Sequence, residues 1–146
     1  MNLTVYLAGE IHSTWRDEIK QKVAALNLPI HFVGPMENHD RSDNIGEEIL
    51  GKQPSAIFKD AAASNFNNLR TEILMKKADL VIALFGEKYK QWNTAMDASA
   101  AVAYGKPLIL IRSEDHHHAL KELSRKANAT VETVDQAIKA LHYILE

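Results

Sequence analysis

Four short apolar runs, at residues 3–7, 30–33, 79–85 and 108–111, are separated by stretches with helical spacing, and this alternation restricts the chain to an α/β architecture. The first run ends at Ala8-Gly9-Glu10. A helix from about residue 14 to 26 then carries Trp15, Ile19, Val23 and Leu26 on one face, with Ser13 or Thr14 as its expected N-cap. Asn27-Leu28-Pro29 breaks it, and residues 30–33 form a second strand stopped by Gly34-Pro35. Such a βαβ opening implies parallel pairing through a right-handed crossover.

Residues 36–65 are long and polar for a connection that normally takes about 2–6 residues. A short helix at about 43–50 and a turn of helix begun by Pro54 are expected there. A helix at 67–77, carrying Leu69, Ile73 and Met75 or Lys76, leads to the strand at 79–85. An alanine-rich helix at 94–104, the strand at 108–111, a helix at 120–127 and a weak edge strand at 130–132 follow. Thr133-x-x-Gln136 is a capping box for a last helix at 134–145. The economical assembly is a three-layer sandwich: a five-stranded parallel sheet in the flavodoxin/Rossmann-like order 2-1-3-4-5, with helices on both faces, as a single domain over residues 1–146.

Composition narrows the function classes. The net charge is −2 with basic residues spread along the chain, which argues against a nucleic-acid partner. The absence of cysteine excludes a disulfide frame, a thiol nucleophile and a Cys-ligated zinc. No run approaches the roughly 18 apolar residues of a membrane span, and the opening residues read as a strand rather than a signal peptide, so no membrane partner and a cytoplasmic location are expected.

In the order 2-1-3-4-5, strands 1 and 3 flank the switch point where open sheets bind ligands. Three segments then converge on one crevice: residues 8–14, 34–43 and 86–97. The first offers Gly9 for close backbone approach, helix amides for an anion, and Glu10, His12 and Ser13. It matches neither a P-loop nor GxGxxG, and a plain βα turn capped by Ser13 explains it equally. The second runs Gly34, Pro35, Met36, Glu37, Asn38, His39, Asp40, Arg41, Ser42, Asp43, a mixture of charges and amides that suits ligand contact. The third holds Gly86, Tyr89, Trp92, Asn93, Thr94 and Asp97. Thr94-x-x-Asp97 fits a helix capping box; alternatively Asp97 faces the crevice, where a carboxylate can act on an anomeric carbon. The other clusters favour structural roles: His116-His117-His118 reads as a solvated loop, and His31 and His142 as structural. No metal site or cofactor is expected, although Glu10 and His12 with His39 and Asp40 are the one combination that could hold a metal.

The run 78–85, its loop, and Asn93-Thr-Ala-Met-Asp97 continuing to Gly105-Lys106-Pro107 resemble the signature of the nucleoside 2-deoxyribosyltransferases, as does Tyr6-Leu-Ala-Gly9 at the start. Residues 32–43 and 84–97 resemble still more closely the small bacterial YtoQ proteins, a branch of that fold. The resemblance implies a homo-oligomer and a crevice for a nucleoside or nucleotide, with Tyr6 among its lining. Asp97 falls on the nucleophile's position, where the group has glutamate; Asn93 and Ser99 replace glycines, and Gln91 and Thr71, the latter beside Arg70, fall where the group has carboxylates. Asp40, Asp43 or Glu37 would then have to supply the missing acid.

Two readings follow. In the first, the protein cleaves or transfers an N-glycosidic bond of a nucleoside or nucleotide. Asp97 is nucleophile or oxocarbenium stabiliser, Glu10 or Asp43 the general acid, Tyr89 or Trp92 the base-stacking ring, and Asn93 and Thr94 position the sugar. In the second, the same crevice belongs to a non-catalytic nucleotide-binding module or sensor. A metal-dependent hydrolase using the same carboxylates is a third, lesser alternative.

Overall fold

The computed structural model describes residues 1–87 and 90–146. Five parallel strands, β1 (Leu3–Gly9), β2 (Ile30–Val33), β3 (Leu80–Phe85), β4 (Leu108–Arg112) and β5 (Ala129–Val131), line up in the order β2-β1-β3-β4-β5. β1 sits inside the sheet, with Val5 opposite both Phe32 of β2 and Leu80 of β3. The expected sheet and its order are therefore present.

Successive strand residues point to opposite faces, so each inner strand feeds two cores. Val5, Leu7, Ile82 and Ile109 pack with Ile19 and Val23 of α1 (Trp15–Ala25) and with Ile138 and Leu141 of α6 (Val134–Ile144). Tyr6, Ala8, Val81, Ala83 and Leu110 point the other way, against Met75 of α3 (Ala56–Lys77) and Ala98 and Ala101 of α4 (Trp92–Ala103). Alanine at 98 and 101, both fully buried, lets α4 lie close on the sheet. A short α5 (Lys121–Lys126) completes that layer, and the Thr133–Gln136 capping box opens α6 as its spacing predicts.

The largest departure from expectation lies between β2 and β3. In place of a short helix, a turn and a later helix, there are two long helices, α2 (His39–Leu50) and the 22-residue α3. Asn38 begins α2 four residues earlier than anticipated, its side-chain oxygen accepting from the Arg41 amide at 2.9 Å. Ser55 caps α3, which continues straight through the polar Ser64-Asn65-Phe66-Asn67-Asn68 stretch. Tertiary contact overrides local propensity there. Asn67 Nδ2 donates to Ser42 O at 3.0 Å and to Ser42 Oγ at 3.1 Å, and Gly46 of α2 meets the backbone of α3 directly. Because α3 packs on the sheet through Met75, Leu69 and Ile73 turn outward, 53% and 46% exposed.

Smaller differences concern helix ends. Thr14 is the N-cap of α1 but its side chain makes no cap bond; Asp17 and Glu18 in the first turn complement the dipole instead. The helix stops at Ala25, so Leu26 is exposed and Leu28 packs on the core in its place. No helix among the described residues is long and apolar enough to cross a membrane.

The α2–α3 contact can be tested at Gly46. A Cβ there would lie 2.4 Å from Ala63 N and 2.5 Å from Ala62 C. Helix propensity alone makes Gly→Ala stabilising by about 1 kcal/mol, whereas overpacking costs about 1–3 kcal/mol. Gly46→Ala is expected to lower stability in urea unfolding; an increase would show that the two helices spread freely.

Candidate functional site

The site begins where β1 ends. Gly9 permits the Trp15 ring to fold beneath the turn, because a Cβ at that position would lie 2.7 Å from the indole. Trp15 Nε1 donates to Glu10 O at 3.2 Å. Arg16, only 2% exposed, crosses the end of the strand: Nη1 donates to Glu10 O at 2.7 Å, and Nη2 to Leu7 O at 3.1 Å and Gly9 O at 2.9 Å. The guanidinium thus satisfies carbonyls that would otherwise be stranded at the sheet's edge, and leaves a buried positive charge behind the turn. The Glu10 carboxylate accepts from the His12 amide at 2.5 Å, closing the loop that leads into α1.

Above this turn is a crevice of about 920 Å³, within the range of small-molecule sites. The β1 turn supplies Gly9, Glu10 and His12; Pro35 and Met36 follow β2; α2 contributes His39, Ser42 and Asp43. One face of α3 contributes Asp60, Ser64, Asn67, Asn68 and Thr71, and the opposite wall is the segment from Lys90 to Asp97 at the start of α4. The expected convergence of three segments is realised, with α3 as a fourth wall. His39 Nε2 lies 3.1 Å from Asp43 Oδ2, and the His12 and His39 rings are 5.7 Å apart.

Asp97 is not a helix cap. Gln91, in the left-handed region at φ 57°, ends the loop, so α4 starts at Trp92 and Asp97 falls in its second turn, beyond the unsatisfied amides. Thr94, 2% exposed, donates its hydroxyl to Gln91 Oε1 at 3.1 Å and so fixes the approach to the helix. Asp97 instead lines the crevice, half-buried. Burial pushes its carboxyl up to about 6, with the Arg16 guanidinium opposing the shift. The buried Tyr6 phenol beneath it is pushed up to about 12, by burial first and the Asp97 charge second. Tyr6 Oη is out of hydrogen-bond geometry, although Thr71 is near enough to ease its ionisation. The half-buried carboxylate in the wall is therefore within electrostatic reach of a neutral phenol and a buried cation.

Of the residues singled out in the sequence, Asp97, Glu10, Asp43, Gly9, His12, Pro35, His39, Trp92, Asn93 and Thr94 line this crevice. Gly34 and Glu37 line a smaller cavity beside it, and Tyr6 lies beneath. Asn38 caps α2, the Asp40 carbonyl accepts from Asn44, and Arg41 pairs with Glu48; these three and Gly86 are outside the crevice lining. Tyr89 lies outside the described residues. Sequence reasoning missed Arg16 and, apart from Thr71 and Arg70, the α3 wall. The available signals were an arginine three residues before the buried Ile19, and polar residues at 60, 64, 67, 68 and 71, a helical stripe. Among the described residues, no cluster of three or more His, Asp or Glu could hold a metal ion.

Removing the Arg16 fork strands three carbonyls in a buried place. Arg16→Met is expected to cost about 2–4 kcal/mol in urea unfolding, and Arg16→Lys to recover less than half, because a point cation cannot span the three acceptors. Full recovery by lysine would assign Arg16 a charge role only.

The geometry can now be set beside known proteins. The sequence model described as nucleoside 2-deoxyribosyltransferase YtoQ matches residues 6–145. The chain is 73% identical to the Bacillus subtilis (strain 168) protein YtoQ over 146 residues, covering 100% of this chain and 99% of the relative. In fold it is similar to a conserved protein from Enterococcus faecalis V583 (TM-score 0.67, 16% identity, 99% of this chain and 100% of that one). It is similar also to the 2-deoxyribosyltransferase of Bacillus psychrosaccharolyticus (TM-score 0.62, 18% identity, 94% and 95% covered). The chain belongs to the nucleoside 2-deoxyribosyltransferase YtoQ family.

Proposed function

We propose that the crevice cleaves or transfers the N-glycosidic bond of a nucleoside or nucleotide, with Asp97 as the group that meets the anomeric carbon. The observation that carries this reading is the half-buried Asp97 carboxylate in the crevice wall, within electrostatic reach of the Tyr6 phenol and the Arg16 charge. Family membership supports the substrate class. The ionised Asp97 attacks C1′ or stabilises its oxocarbenium character while the C1′–N bond breaks and its electron pair leaves with the base. Glu10 or Asp43 delivers the proton the departing base needs. Water or a second base then takes the sugar and releases Asp97. Asn93 and Thr94 set the sugar's position, and Trp92, 73% exposed at the crevice edge, is available to stack on the base.

A homo-oligomer accords with the outward apolar residues Leu69 and Ile73, one turn apart on α3, and Met96 on α4, 52% exposed. If a second copy covers this face, a Leu69→Glu/Ile73→Glu variant elutes as a smaller species in light-scattering chromatography while keeping its circular dichroism.

The reaction is tested by free-base release from a panel of ribo- and deoxyribonucleosides and their 5′-monophosphates. Release is expected and should disappear in Asp97→Asn, with an acid limb near pH 6 because the ionised carboxylate is required. Binding detected by thermal shift with no release anywhere in the panel would assign the crevice to ligand sensing instead.

The same substitution has a stability signature. The folded state binds the Asp97 proton more tightly than the unfolded chain, so this residue's contribution to stability falls as pH rises from about 4 through about 6. Above that window Asp97→Asn should be more stable than the parent by about 1–2 kcal/mol after allowance for solvent screening, with the difference vanishing near pH 4. Equal stability at pH 7.5 would place Asp97 in a wetter setting than its position indicates.

A further inference from the structure

Next to the crevice, sharing Pro35 and Arg70 with it, is a second cavity of about 300 Å³ at the C-terminal end of β2. Three cations from two helices line it: Arg16 and Lys20, one turn apart on α1, and Arg70 from α3. Glu37 is the one carboxylate among its described lining residues, and its Oε2 lies 3.8 Å from Lys20 Nζ, beyond hydrogen-bond reach. We propose that this cavity binds a phosphate group, held by Arg16, Lys20 and Arg70.

Two independent details support an oxyanion here. The Nε of Arg16 is buried and has no hydrogen-bond partner, although both terminal nitrogens of that guanidinium are bonded to carbonyls. A donor left in this condition in a low-dielectric setting is costly unless a ligand meets it. The second detail is Gly34. A Cβ there would stand 3.1 Å from Leu7 O and 3.7 Å from Arg16 Nε, so glycine keeps the approach to the guanidinium open. Arg70, also in the lining, adds a planar cation whose Nη1 donates to Gly34 O at 2.7 Å. Planar guanidinium donors and a mobile ammonium are the usual partners of phosphate. The Lys20–Glu37 pair is exposed and loose, a weak contact that an incoming dianion can displace.

Phosphate could arrive as the free anion or as part of a ligand whose remainder fills the crevice across Pro35 and Arg70. Only the second source rests on the proposed function. The experiment titrates the full chain with inorganic phosphate against chloride at constant ionic strength, read by ³¹P line width and thermal shift. Saturable binding is expected, weakened about tenfold or more in Lys20→Ala and tightened several-fold in Glu37→Gln. No effect beyond that of chloride, or variants that bind as the parent does, would overturn the site. Lys20 is well exposed, so its loss should not unfold the chain. In a second arm, a nucleoside 5′-monophosphate is compared with its nucleoside. Lys20→Ala weakening only the phosphorylated ligand identifies a ligand-borne phosphate; equal effects on both leave the free anion as occupant. Asp97→Asn should retain phosphate binding, which separates failure of this site from failure of the glycosidic reaction.

Discussion

The Arg16 guanidinium is the interaction on which the site's construction depends. A parallel sheet ends with carbonyls that have no further strand to receive them, and the end of β1 lies beneath the ligand edge. From the first turn of α1, Arg16 donates to three carbonyls, Leu7 O, Gly9 O and Glu10 O, and so ties helix to strand. The Trp15 ring, 4.8 Å from the guanidinium, covers its other side and is accommodated only because residue 9 has no side chain. Burial alone would favour losing the proton, and the charges of Glu37, Glu10 and Asp97 act to keep it. The cation in turn opposes the burial that raises Asp97. One residue therefore serves as structural clamp and as a positive field acting on the Asp97 carboxylate.

The far wall of the crevice depends on a different economy. α2 and the first half of α3 pack on each other through Gly46 and the Ala62-Ala63 pair, with helix backbones in close approach. Asn67 ties α3 to Ser42 from the same side. This leaves the polar stripe of α3 facing the cavity. The carboxylate, amide and hydroxyl groups of Asp60, Asn67 and Thr71 can meet a polar ligand there without disturbing the sheet. Helix α4, packed on the sheet through Ala98 and Ala101, carries Asp97, and a helical hairpin carries the groups opposite.

Much of this was legible in the amino-acid order because strands and their crossovers obey local rules. Short apolar runs broken by Gly9, Pro29 and Gly34 reveal the βαβ opening, and the Thr133–Gln136 box is local enough to be read directly. Asp97 was ambiguous because Thr94-x-x-Asp97 also has the spacing of a capping box; the left-handed Gln91, three residues before the expected helix start, excludes the cap. The length of α3 was hidden for a physical reason. Ser64 to Asn68 have poor helix propensity, and the helix persists there because α2 packs on it, information carried by residues about 20 positions away. Arg16 was hidden because an arginine early in a helix ordinarily reads as solvent-exposed, whereas the carbonyls that draw it inward appear only when the strand ends above it.

The charge distribution limits what the two cavities can share. Among the described residues lining the large crevice, the carboxylates of Glu10, Asp43, Asp60 and Asp97 face only Arg70 and Lys90 as fixed cations. The elevation of Asp97 arises from burial rather than from another carboxylate, so its proton is not shared in the manner of a close acid pair. In the proposed reaction such an isolated carboxylate would act once ionised, and the acid assisting the leaving base would come from a separate wall. A dianionic phosphate placed among those carboxylates would weaken its own binding and press the Asp97 proton back on. Moved to the cationic side, beyond Arg70, the same phosphate would strengthen binding and leave the carboxylate free to ionise. The separation of acidic and basic walls by one arginine is thus the condition under which a phosphorylated nucleoside and an ionised Asp97 can coexist in this fold.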